Sequence, residues 1–231
     1  MTMIEAVIFD IDGTLVDSND LHAASWKETF LQFGKDVPYS DLRQQIGKGA
    51  DQYMPEFWNE KALGRFGKEM ERFREQLFFN KYLKQAKPFP KAKELLERIR
   101  RDGKQVALAS SSKKAVVDYY IELLGIQDLI NARTSADEAR RSKPFPDIFS
   151  AVLGDLEGAT ADKSLVVGDA PYDAQAGHKL GMGTIAFLCG GFSKEELQEA
   201  GAIAVYNDPA DLLIQYDASP IVSSAPYYAP K

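Results

Sequence analysis

The chain carries a single cysteine, Cys189, and two histidines, His22 and His178. One cysteine excludes an internal disulfide and a cysteine-rich zinc centre. Two histidines are too few for a histidine-built metal site. Long apolar runs are missing as well: no segment approaches the roughly 18 residues of a membrane span. The start, Met-Thr-Met-Ile-Glu-Ala, has neither the basic opening nor the apolar stretch of a secretory leader, so a reducing cytoplasm is the expected setting. Positive charge is in deficit. With 28 Lys and Arg against 34 Asp and Glu, the net charge is −6 and the pI about 5.1, which argues against nucleic acid or an anionic membrane as partner. No repeat with a period of 20–50 residues is visible, and a monomer is the default expectation.

What the 231 residues do contain is an alternation. Short apolar runs occur at Ala6–Phe9, Gln105–Ala109, Ser164–Val167, Thr184–Leu188 and Ala202–Tyr206. Runs this apolar read as strands buried on both faces, as in a parallel sheet. Helical patterns lie between them, among them Lys91–Asp102 and Lys113–Leu124, each stopped near a glycine, Gly103 or Gly125. The expected fold class is α/β, a doubly wound parallel, Rossmann-like sheet. From Asp17 to Lys87 no strand pattern appears, and Ala23, Trp26, Phe30 and Phe33, like Phe66, Met70, Phe73 and Leu77, recur at helical spacing. These residues predict a small all-helical domain inserted after the first strand. The expected division is therefore 1–16 with 87–215 as the α/β core, 17–86 as a helical cap and 216–231 as an extended tail. Phe57, Trp58 and Cys189 read as packing residues, and His178 as solvent-facing.

The chemistry-bearing residues follow the strands. Asp10-Ile11-Asp12-Gly13-Thr14 comes after the first, Ser110-Ser111-Ser112-Lys113 after the second, and Gly168-Asp169 with Asp173 after the third. Open α/β sheets bind ligands at the carboxyl ends of their strands, so these segments should converge on one crevice. Carboxylates gathered there repel one another without a cation, and hard oxygen ligands suit Mg²⁺. Asp10 is the candidate carboxylate nucleophile; toward a phosphomonoester, the substrate class implied by the resemblance given below, it would form an aspartyl-phosphate. Asp12 is the candidate general acid and base, a role that asks for a pKa raised toward neutrality. Lys143 supplies countercharge, Ser110, Ser111 and neighbouring N–H groups hold phosphate oxygens, and Gly13 permits a tight turn near the phosphate.

In this order the segments resemble the signatures of the haloacid dehalogenase superfamily of phosphohydrolases: Asp10–Thr14, then Ser110, then Lys143 in Lys143-Pro144-Phe145-Pro146-Asp147, then Gly168-Asp169 with Asp173. The helical insertion resembles that family's C1 cap, and the branch it is most similar to is that of the phosphoglycolate phosphatases and β-phosphoglucomutases. The resemblance implies Mg²⁺ held by the Asp10 carboxylate, the Asp12 backbone carbonyl and Asp169, with Asp173 behind them. It implies an acid-coupling role for His22 at the cap entrance. It also makes His22, Lys48 in the glycine-flanked loop Gly47-Lys48-Gly49, and Lys113 candidate substrate contacts. The cap loop Gly49-Ala50-Asp51-Gln52 lacks the arginine with which mutases hold a second phosphate. The expected function is Mg²⁺-dependent hydrolysis of a small phosphorylated metabolite such as phosphoglycolate or a sugar phosphate. A phosphomutase and a non-catalytic binding protein on the same fold are the alternatives.

Overall fold

In the computed structural model, which describes residues 3–222, the chain alternates strand and helix on either side of an all-helical excursion. It enters through β1 (Ala6–Phe9) and a two-residue β2 (Val16–Asp17). Four helices follow: α1 (Asn19–Gln32), α2 (Tyr39–Gln44), α3 (Ala50–Tyr53) and α4 (Glu60–Leu77). A π-helical turn, Phe78–Tyr82, leads back to β3 (Lys87–Pro88), which pairs antiparallel with β2. Then come α5 (Ala92–Arg101), β4 (Gln105–Ala109), α6 (Lys114–Leu124), β5 (Ala132–Thr134) and α7 (Asp147–Gly154). The last third holds β6 (Ser164–Gly168), α8 (Pro171–His178), β7 (Gly183–Phe187), α9 (Lys194–Glu199), β8 (Ala202–Tyr206) and α10 (Pro209–Ile214).

Six strands form one sheet in the order β5-β4-β1-β6-β7-β8, every neighbouring pair parallel. The pleat sends alternate residues to opposite faces. Val7, Phe9, Val106, Leu108, Leu165 and Val167 join α5, α6 and α10 in one apolar layer, while Ala6, Ile8, Ala107, Ala109 and Val166 join α7 and α8 in the other. Both faces are thus dry, which is why these strands read as continuous apolar runs. From β1 the chain proceeds outward on one side to β4 and β5, then returns to the other side at β6. The carboxyl ends of β1 and β6 therefore flank the point where strand order reverses, the place at which such sheets bind ligands.

The helices α1–α4 enclose a core of their own, with Trp26 stacked on Tyr53 at 4.6 Å and Phe30, Leu42 and Met70 fully buried. Phe57 and Trp58 pack against that core. The cap is closed onto the sheet domain. Gly49 N–H donates to Ser142 Oγ at 2.9 Å, Ser142 N–H to Asp51 at 3.1 Å, and the Tyr172 hydroxyl to the Gln44 carbonyl at 2.8 Å.

The extended tail expected from residue 216 does not begin there. Tyr216–Ala218 form a 3₁₀ turn, and Tyr216 and Ile221 are buried in the main core, anchored by their apolar side chains. The rest of that segment, 223–231, lies outside the described residues.

Candidate active site

Asp10 is the first residue beyond β1, and its N–H donates to the Val167 carbonyl at 2.8 Å, so the strand ladder itself aims the side chain out of the sheet. The chain then turns back tightly. The Ile11 carbonyl accepts from Leu15 and Val16 N–H, and Gly13 sits at φ +78°. A Cβ at Gly13 would overlap the side chains of Asn19 and Asp169, so the turn needs glycine for both its backbone and its space. Asp169 is the first residue after β6, and Asp173 lies in the first turn of α8, where its carboxylate accepts the Ala170 N–H at 3.0 Å.

Asp10, Asp169 and Asp173 each present a carboxylate oxygen within 4.8 Å of the others, and all three are buried. Lys143, fully buried, places Nζ 2.5 Å from Asp10, 2.8 Å from Asp173 and 3.1 Å from the Ala109 carbonyl. Thr14 Oγ1 and Asn19 Nδ2 donate to Asp169 at 2.9 and 2.8 Å. At an effective dielectric constant near 20, two unit charges this close repel by about 3 kcal/mol. Burial, then the neighbouring carboxylates, therefore push the Asp10 carboxyl well above its ordinary range, against the pull of Lys143. Burial and the Asp173 charge raise Asp169 to about 7. Three carboxylates against one ammonium leave a formal −2, and a hard dication with oxygen preference, such as Mg²⁺, fits that donor set.

Asp12 faces the other way. Its Oδ1 accepts from Ser18 Oγ and His22 Nε2, both at 2.6 Å, and its Oδ2 from Ser112 at 2.7 Å and Ser110 at 3.3 Å. Only its backbone carbonyl remains for a metal. Burial pushes the Asp12 carboxyl up, but His22 and the hydroxyl donors outweigh it and hold the group well below the usual carboxylate range. The expectation of a raised pKa is thus corrected: donors drawn from Ser18, Ser112 and His22 stabilise the charge that burial penalises. His22 stacks on Phe78 at 4.1 Å and accepts at Nδ1 from Arg74 Nη2. That places its proton on Nε2, toward Asp12. Burial, with the Arg74 charge, keeps the ring below its ordinary pKa.

Asp10, Asp12, His22, Lys48, Arg74 and Ser111 are among the residues lining a cavity of about 40 Å³ beneath the cap. Ser111 Oγ is buried there with no hydrogen-bond partner among the described residues, free to receive a ligand oxygen. The two candidate lysines have carboxylate partners instead. Lys48 lines the cavity, but its ammonium contacts Glu56 at 2.7 Å and Gln45 at 2.6 Å and lies over the Tyr172 ring. Lys113 lines an outer cleft and pairs with Glu71, Glu75 and Asp137 at 3.2–3.5 Å. Thr14 and Ser112 lie inside the sequence motifs but were given no role there, and Ser18, Asn19 and Arg74 enter the site without a sequence signal of their own. Each is an ordinary polar residue until the fold brings it to an aspartate or to His22. Cys189 donates to the Gly13 carbonyl at 3.3 Å, and burial pushes its thiol up, as befits a packing residue.

Residues 7–187 match the sequence profile of the haloacid dehalogenase-like hydrolases. The chain is 31% identical over 218 residues to the chloroplastic protein SUPPRESSOR OF QUENCHING 1 of Arabidopsis thaliana, covering 91% of this chain but only 20% of that much longer protein. It is 28% identical over 221 residues to a phosphoglycolate phosphatase of Rhodospirillum rubrum, covering 91% of this chain and 90% of the relative. A hydrolase from Pseudomonas syringae superposes with a TM-score of 0.80 at 29% identity, covering 93% of this chain and 98% of that one. No helix among the described residues is long and apolar enough to cross a membrane.

Proposed function

Given that this chain belongs to the haloacid dehalogenase-like hydrolases and is a phosphatase, we propose that it hydrolyses a small phosphorylated metabolite by Mg²⁺-dependent transfer of the phosphoryl group to Asp10 and then to water. The observation that carries this reading is the cluster of Asp10, Asp169, Asp173 and Lys143, with Asp10 opening into the cavity that Asp12 also lines.

The chain's own groups account for each step. An Asp10 oxygen attacks phosphorus. The bond from phosphorus to the leaving oxygen breaks, and that oxygen takes its electron pair and a proton from Asp12. Water then attacks the aspartyl-phosphate, gives its proton to Asp12, and releases Asp10. The ionised form of Asp12, which its donors favour, is the one that activates water; the first step requires its protonated form. Lys143 offsets charge on Asp10 and on the phosphoryl oxygens, while Ser110, Ser111 and the N–H groups at the start of α6 orient them. Mg²⁺ held by Asp10, the Asp12 carbonyl and Asp169, with Asp173 behind, would neutralise the phosphoryl charge. The cap lies over this cavity, so its opening would admit substrate and its closure would exclude bulk water. Phosphoglycolate is the substrate named for the Rhodospirillum relative.

Hydrolysis is favoured over a mutase reaction because the cap loop has no arginine and its Asp51 is engaged with Ser142. The test is phosphate release from a panel of phosphorylated metabolites with and without Mg²⁺, with Asp10→Asn as control. Metal-dependent release that disappears in Asp10→Asn is expected. No release from any compound overturns the reading.

A further inference from the structure

Resting on the phosphatase reading above, we propose that Arg74 reads a second negative charge on the leaving group. The substrates would then be short phosphate compounds bearing a further anionic group, a carboxylate or another phosphate, rather than neutral alkyl or sugar phosphates.

The cations around the site divide sharply. Lys48 is paired with Glu56, Lys113 with Glu71, Glu75 and Asp137, Arg43 with Asp20, and Lys143 with Asp10 and Asp173. Arg74 has no carboxylate partner among the described residues. Its Nε donates to Ser25 Oγ at 3.2 Å, its Nη2 to His22 Nδ1, and its Nη1 to nothing described. A guanidinium has five N–H donors, so most of this one's capacity remains open. Arg74 is half-buried, and holding a cation there without a countercharge has a cost, in line with burial pushing its pKa down. An anion arriving with the substrate would relieve that cost.

The fork is also pre-oriented. Arg74 lies 5.0 Å from the ring centroids of both Trp26 and Phe78, and these contacts with the Ser25 and His22 bonds keep it from swinging into solvent. Its position suits the leaving group. It lines both the 40 Å³ cavity over Asp10 and the 150 Å³ cleft that continues outward past Gly49, Ser111 and Ser112. His22 bridges it to Asp12, so it stands one imidazole ring beyond the group that protonates the departing oxygen. A planar fork at that distance matches a carboxylate or phosphate in two-point contact, which a hydroxyl cannot reproduce.

The experiment compares kcat/KM for phosphoglycolate, pyrophosphate and 2-hydroxyethyl phosphate, with Mg²⁺, in the full chain and in Arg74→Gln and Arg74→Lys. Phosphoglycolate and 2-hydroxyethyl phosphate differ only in carboxylate against hydroxymethyl. The full chain should prefer an anionic substrate by about 100-fold, and the better of phosphoglycolate and pyrophosphate identifies which anion is read. Arg74→Gln should erase most of that preference, chiefly through KM of the charged substrate, and Arg74→Lys should keep part of it. A thermal melt of each variant separates loss of recognition from loss of fold, and Arg74→Lys serves if Arg74→Gln does not fold. Equal loss on charged and neutral substrates, carried by kcat, would mean that Arg74 acts only through His22 and overturns the proposal. So would the absence of any preference in the unaltered chain. Both results leave hydrolysis intact, whereas failure to cleave any phosphate compound removes the phosphatase reading itself.

Discussion

The ammonium of Lys143 lies 2.5 Å from the Asp10 carboxylate, across 133 positions of sequence and with both side chains buried. It touches Asp173 as well, at 2.8 Å. One cation therefore serves the candidate nucleophile and a second carboxylate at once. Lys143→Met should leave both charges unpaired in a dry site and lower unfolding free energy by about 3–5 kcal/mol in chelator. Added Mg²⁺ should recover part of the loss. Urea unfolding with EDTA and with Mg²⁺ checks both; a neutral substitution in EDTA would mean that Lys143 does not balance these carboxylates.

Gly190, in the turn after β7, belongs to none of the sequence signatures, yet a Cβ there would overlap the Asp169 carboxylate. Its carbonyl also accepts from Asn19 Nδ2, which holds Asp169 in turn. Gly190→Ala should weaken Mg²⁺ binding by about 10–100-fold, the usual cost of disturbing a ligand's support, with a smaller effect on melting temperature. Calorimetric titration in parallel with a thermal melt distinguishes this from general destabilisation.

Metal uptake should release protons. Asp10 is held well above its ordinary range and Asp169 at about 7, so near neutrality the metal-free site retains protons that a dication must displace. Calorimetry at pH 6.5 in buffers of different ionisation enthalpy should give a buffer-dependent binding heat, and affinity should rise with pH up to about 8. Heats independent of buffer would contradict the shared origin of these shifts.

His22 should stay neutral below the pH at which a free imidazole gains its proton. Its folded pKa lies under 6.5, so as pH falls through 6.5 the unfolded chain takes up a proton that the folded chain refuses. Stability should then decline as pH falls through that window, by at most about 1.4 kcal/mol per unit. Only two histidines contribute ring signals in NMR, so the His22 titration is directly readable, and the difference in stability slope between the unaltered chain and His22→Gln isolates it. A ring that titrates at or above 6.5 refutes the arrangement with Arg74.

The buried strands were legible because burial on both faces leaves a compositional mark. Ala6–Phe9, Gln105–Ala109 and Ala202–Tyr206 match their predicted limits, and the run expected at 184–188 is displaced by one residue. Strand β5 left no such mark: it is three residues long at the sheet edge, with Arg133 exposed. Aspartates at strand ends were legible for the same reason as the strands. Arg74 was not, because its meaning comes from what it lacks in space, a carboxylate, and no local pattern encodes that. Lys48 and Lys113 looked available only because their acidic partners, Glu56 from the same cap and Glu71 and Glu75 from α4, are brought up by tertiary packing.

The two-residue pairing of Val16–Asp17 with Lys87–Pro88 binds the outgoing and returning ends of the helical excursion to each other. The helices between could therefore vary in length without moving the two attachment points, which are already neighbours. A population of sequences could vary the outer faces of α2–α4 while Asn19, His22 and Phe78, which reach the aspartates or the main core, stay fixed beside Asp10, Lys143 and Asp169.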